Sequence, residues 1–136
     1  MARHNTFANH LIGGNEKAYG AEIRAKYGDE VVDASNEKIS EMTDEQFAEH
    51  DKLSTELNAF LKVAVAEGDA TSKLAKEVFK LHKEWLCFYW SEYTKKAHMG
   101  LTQMYVDDPR FTEYYDKIAP GAAVFLRDTV HHFCST

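Results

Sequence analysis

From Thr43 to Gly68 one stripe of residues recurs at intervals of three and four: Phe47, His50, Leu53 with Ser54, Leu57, Phe60 with Leu61, then Ala64. That period lays a single seam along an α-helix and would scatter over both faces of a strand. Thr43-Asp44-Glu45-Gln46 opens the segment as a capping box, the threonine hydroxyl and the glutamine side chain each satisfying the other's free backbone amide. Gly68 closes it. A helix this long and this one-sided must find other helices to cover its seam, which sets the fold class.

The rest of the chain supplies them. Tyr19, Ile23 and Tyr27 are four apart and Gly28 stops that run as a C-cap would; Asp29–Ser40 then places Val31 or Val32, Ser35 and Ile39 on one side. Ser72–Trp90 carries two stripes, Leu74, Val78, Leu81 with His82, Trp85 and Tyr89 on one, Phe79, Leu86 and Trp90 on the other. After a break at 91–94, Thr94 caps a helix through Val106 bearing His98, Leu101, Met104 and Tyr105. Asp108-Pro109 reads as N-cap and first helical residue of a short helix ending at Asp116. Pro120 starts the last helix, with Ala122, Phe125, Leu126, Val130 and Phe133 inward. No segment alternates as a strand does. Residues 1–14 are polar, end in Gly13-Gly14 and read as a mobile arm, so the expectation is an all-α domain over 15–136 of six or seven helices crossing compactly.

Charge and motifs narrow the chemistry. Lys and Arg number 16 against 22 Asp and Glu, and residues 1–68 carry the whole net −6. No face can gather the basic stripe that phosphate backbones require, so this chain alone is not expected to bind nucleic acid. The opening Met1-Ala2-Arg3-His4-Asn5-Thr6-Phe7 lacks a signal peptide's apolar run and nothing reaches membrane-span length, which leads to the expectation of a cytoplasmic protein that enters no membrane. There is no G-x-S-x-G, HExxH, P-loop, G-x-G-x-x-G or Glu-x-x-His pair, so no catalytic residue and no cofactor is assigned. Asp107-Asp108 sits where a helix start needs a cap and negative charge. His131-His132 point in different directions, while His50, His82 and His98 fall on apolar stripes and read as hydrogen-bonded interior residues. A globin-like haem or metal site using one of those three is the least favoured alternative.

The positive signal is aromatic density. Of 17 aromatic residues, ten lie within 79–115, where an even spread would put about five. Trp85, Phe88, Tyr89 and Trp90 would cover nearly every side of one helix, more than a single core seam absorbs, and rings with polar tips suit a cleft for a bulky apolar guest. Four such rings burying ~300 Å² would contribute ~7.5 kcal/mol before ordering and association costs, weak enough that a closing segment is wanted. The amino-terminal arm is the candidate lid.

Lys26-Tyr27-Gly28-Asp29, Asp33 through Ser35 and Thr43 through Phe47 resemble the opening of the TipAS-type drug-recognition domain. Gly100 through Thr112, Tyr115 through Gly121 and Phe125 through Asp128 resemble its later helices, and the likeness covers about residues 15–133. It implies a globin-like helical fold, the ligand-sensing half of MerR-type multidrug transcription activators, and binding of bulky apolar antibiotics, thiopeptides among them, in a cleft between helices. It also implies that residues 1–40 order on the ligand. Two family cysteines are absent, Gly100 standing at the one that traps thiopeptides and Tyr93 at the other, so binding is expected to be reversible. Cys87, on the preceding helix, reads as a small packed apolar residue that reacts slowly with thiol reagents.

The resulting expectation is a drug-sequestering or drug-sensing domain without the DNA-binding half. Trp85, Tyr89, Tyr93, His98, Leu101 and Tyr105 would line its cleft, with Phe88, Met104 and Phe111 behind them. The alternative is a protein-interaction module, a homodimer or a partner of a separate transcription regulator, in which the aromatic helix forms the interface.

Overall fold

A computed structural model describes Ala25 and residues 28–135. The expected arm at 1–14, the lid it would form and the helix through Tyr19, Ile23 and Tyr27 lie outside the described residues. Among those described, the chain forms six helices and no strand: α1 (Asp29–Ser40), α2 (Asp44–Glu67), α3 (Lys73–Leu86), α4 (Lys95–Asp107), α5 (Pro109–Asp116) and α6 (Ala122–Cys134). None is long and apolar enough to cross a membrane.

Local chemistry sets most of the boundaries. Thr43 Oγ1 accepts from the Gln46 amide at 3.1 Å while Gln46 Oε1 accepts from the Thr43 amide at 2.8 Å, the capping box read from the sequence. Ser72 and Thr94 cap α3 and α4 through the amides of Ala75 and Ala97, each at 3.0 Å. Gly68 ends α2 at φ +79, a left-handed conformation that only glycine adopts without cost. Asp108 ends α4 and starts α5, its carboxylate accepting from the Arg110 amide at 3.0 Å and pairing with the Arg110 guanidinium at 2.6 Å.

The helices pack by covering one another's seams. α6 meets α2, α3, α4 and α5, and the broadest contacts are α4 on α6 and α2 on α3. Leu61, Leu86, Leu101 and Leu126 come from four different helices and are fully buried, each contributing about 2 kcal/mol by leaving water. On α1 it is Val32, Ser35 and Ile39 that turn inward, while Val31 is exposed.

Gly28 is the N-cap of α1, at φ +90, and the helix it is expected to end lies outside the described residues. Two expectations are corrected. The last helix begins at Ala122 because Gly121 turns left-handed at φ +85 and Asp116 Oδ1 accepts from the Ala123 amide at 3.1 Å. Above all, α3 stops at Leu86 and residues 87–89 form a turn. The cause is distant in sequence: Lys38 Nζ, on α1, donates to the carbonyls of Cys87 and of Trp90 (2.9 Å). Phe88, Tyr89 and Trp90 therefore leave the helix, and Cys87, expected to be packed, is exposed as the helix C-cap.

Asp108→Ala should lower stability by about 1 to 2 kcal/mol in urea denaturation, since it removes a cap as well as a half-buried ion pair. An unchanged midpoint would show that α4 and α5 are joined by something other than this carboxylate.

Candidate functional site

Where α3 faces α4 the interior is polar as well as aromatic. His82 shares the inward face of α3 with Val78 and Trp85, and His98 shares that of α4 with Leu101 and Tyr105, so helical spacing drives both imidazoles inward. Both are fully buried. A buried imidazole needs a partner for each nitrogen. His82 Nδ1 and His98 Nε2 meet at 2.7 Å, His98 Nδ1 meets the Tyr93 hydroxyl at 2.7 Å, and His82 Nε2 faces the Tyr105 hydroxyl at 3.4 Å. Four side chains thus form one file from half-buried Tyr93 to fully buried Tyr105.

A second pair stands beside it. His50 Nδ1 lies 3.2 Å from Asp51 Oδ1, which can only accept, so Nδ1 carries the proton and Nε2 accepts from the Tyr89 hydroxyl. Trp85 links the two groups, its ring centroid 5.6 Å from His82, 6.5 Å from His50 and 5.1 Å from Tyr89. Phe79 stacks on His98 at 5.5 Å, and Lys83 Nζ lies 4.6 Å over the Tyr93 ring.

Burial governs the protonation here. It holds His82 well below its usual value, helped by the nearby His98, and holds His98 down at about 3, helped by the Lys83 charge. Burial likewise pushes the Tyr89 and Tyr93 hydroxyls and the Cys134 thiol upward. At neutral pH the file is made of neutral groups.

Among the described residues, a groove of about 420 Å³ beside this layer is lined by Lys38, Glu41, Met42, Gln46, Glu84, Cys87 and Phe88. Another, about 390 Å³, is lined by Glu49, Lys52, Leu53, Glu56 and again by Glu84 and Phe88. Of the nine residues singled out from sequence, Phe88 lines both grooves. Trp85, Tyr89, Tyr93, His98 and Tyr105 join in the ring cluster, Phe111 lies beyond it at 5.7 Å from Tyr105, and Leu101 and Met104 are buried along the same helix.

Sequence reasoning placed His82 and His50 in the interior without joining them to the cluster, and missed Lys83 at its edge. A signal for the first existed: two histidines on the inward faces of successive helices each need a partner, and each can be the other's. Both nitrogens of His82 and of His98 face hydrogen-bond partners within the file. Among the described residues, no three His, Cys, Asp or Glu side chains gather as metal ligands.

The TipAS antibiotic-recognition domain profile matches residues 19–133. The chain is 27% identical over 124 residues to the HTH-type transcriptional activator mta of Bacillus subtilis, covering 88% of this chain and 46% of that protein. It is 28% identical over 114 residues to the HTH-type transcriptional activator TipA of Streptomyces coelicolor, covering 82% and 45%. It therefore spans a little under half the length of these relatives. In structure it is similar to TipAS of Streptomyces lividans in complex with nosiheptide, from a thiopeptide antibiotic multidrug resistance system. The TM-score is 0.71, with 26% identity over 94% of this chain and 92% of that one.

The buried histidines make stability depend on pH. Unfolded, each takes up a proton as pH falls through 6.5; folded, His98 resists until about 3 and His82 resists likewise, so stability is full above pH 6.5 and drains away below it. Between pH 6.5 and 5 the expected loss is about 2 kcal/mol from His98, and His82 adds to it in the same direction. Urea midpoints measured at about pH 7.5 and pH 5 check this, and equal midpoints would contradict it.

Proposed function

This chain belongs to the TipAS antibiotic-recognition domain family, and from that premise we propose that it reversibly binds a bulky, largely apolar antibiotic of the thiopeptide class against the aromatic wall between α3 and α4. The observation that carries this reading is the shared fold with a protein solved holding nosiheptide. The wall supports it. Phe88 and Tyr93 are half-buried and would make the contact surface, with Trp85 and Trp90 buried directly behind them. Tyr89, His98, Leu101, Met104, Tyr105 and Phe111 stand behind them and hold them rigid.

Each groove falls within the usual size for a drug-sized ligand. A macrocyclic peptide is larger than either, and the residues common to both, Glu84 and Phe88, would let one ligand run across them. Gly100, on the exposed side of α4 with open space around its Cα, supplies no nucleophile, which supports reversible binding at that position; the exposed Cys87 thiol lines the larger groove. No catalytic step is part of this role. In the relatives more than half of the polypeptide lies outside the match. The role proposed for residues 15–136 is accordingly the drug-holding one, sequestering the compound or sensing it for a transcription regulator.

Titrating nosiheptide into micromolar protein while following tryptophan emission tests this, since Trp85 and Trp90 both border the surface. The expected result is a saturable change that dialysis reverses. Emission that does not respond, or a change that persists as added mass on the protein, would overturn the reading.

A further inference from the structure

We infer that the two grooves meeting at Phe88 select an organic cation, so that the compound held there carries a charged amine or onium group on its apolar body, set among Glu41, Glu49, Glu56 and Glu84. This builds on the reading of these grooves as a ligand site and adds the charge of what they take.

The lining is acidic. Its charged members are those four glutamates against two lysines, Lys38 and Lys52. Helical spacing sets Glu49, Lys52, Leu53 and Glu56 on one face of α2, while Glu84 comes from the last turn of α3 and Glu41 is the C-cap of α1. Among the described residues, none of the four carboxylates pairs with a lysine, arginine or histidine. Lys38 is already committed, its ammonium donating to the carbonyls of Cys87 and Trp90.

The helix ends add to this. α1 and α3 both finish among the residues of the larger groove, where the negative ends of their dipoles lie. α2 begins there, but Asp44 and Glu45 in its first turn offset its positive end.

The floor decides what kind of cation fits. Met42 and Leu53 are buried, and half-buried Phe88 lies in both grooves, so apolar surface stands beside the carboxylates. An aromatic ring also attracts a cation placed near its face. A metal ion would need several oxygens gathered on one point, and among the described residues no three such side chains gather. An anionic compound is repelled by the rim, and a neutral one gains nothing from it. An ammonium or onium group on an apolar body uses both rim and floor.

Tetraphenylphosphonium and tetraphenylborate have nearly the same shape and opposite charge, so titrating each into the whole chain by calorimetry isolates the effect of sign. Tetraphenylphosphonium should bind about tenfold or more tightly than tetraphenylborate, and the gap should narrow as NaCl rises from about 50 to about 500 mM. Glu84→Gln, at an exposed position common to both grooves, should weaken tetraphenylphosphonium about three- to fivefold. Glu67→Gln removes the same charge from the far end of α2 and should leave that affinity unchanged. Equal affinity for the two ions, preference for tetraphenylborate, or equal losses in the two variants would each overturn the inference. Nosiheptide titrated in parallel separates it from the functional reading. Nosiheptide bound without discrimination between the ions removes this inference alone; tetraphenylphosphonium bound without nosiheptide removes the thiopeptide reading alone; a chain that binds none of the three removes both.

Discussion

Two imidazole rings packed where water does not reach must be satisfied by protein atoms, and much of this molecule is arranged around that requirement. His82 and His98 belong to helices joined by a turn, and their contact fixes how α3 faces α4. Tyr93, in that turn, stands at one end of the file, and Tyr105, a further two turns along α4, joins the other end to Tyr115. Leaving any one nitrogen unpaired costs about 1 to 3 kcal/mol, more than a surface hydrogen bond supplies, so the file is either complete or a liability. Completeness gives a rigid wall, and a rigid wall loses little entropy when a ligand settles on it.

The wall is also where the chain stops being regular. Lys38 reaches from α1 to the carbonyls of Cys87 and Trp90, ending α3 and swinging Phe88, Tyr89 and Trp90 out of helical register. The aromatic residues then divide by task. Tyr89 turns in to His50, Phe88 faces the grooves, and Trp90 lies against Tyr93 at 6.2 Å.

What was legible in the sequence follows from the range of the forces involved. Thr43, Thr94 and Asp108 were readable as caps because each bonds an amide two or three residues away. The inward faces of α1, α2 and α4 were readable because burial follows the helical period. The end of α3 was not, because its cap comes from Lys38, some 49 residues earlier, and Cys87 was misjudged as packed for the same reason. The start of α6 was missed because Asp116, on the previous helix, takes the amide that a proline-led start would have placed elsewhere. The aromatic wall was visible as a local excess of rings, yet the histidine file within it pairs residues 16 apart and appears only once α3 and α4 are folded together.

A crystal structure of the chain with nosiheptide bound addresses the central claim most directly. The account predicts the thiopeptide lying against Phe88, Trp90 and Tyr93, with the histidine file undisturbed behind it. A ligand seated instead on the exposed Phe60 and Val63 face of α2, or one that enters by breaking the His82–His98 contact, would contradict it.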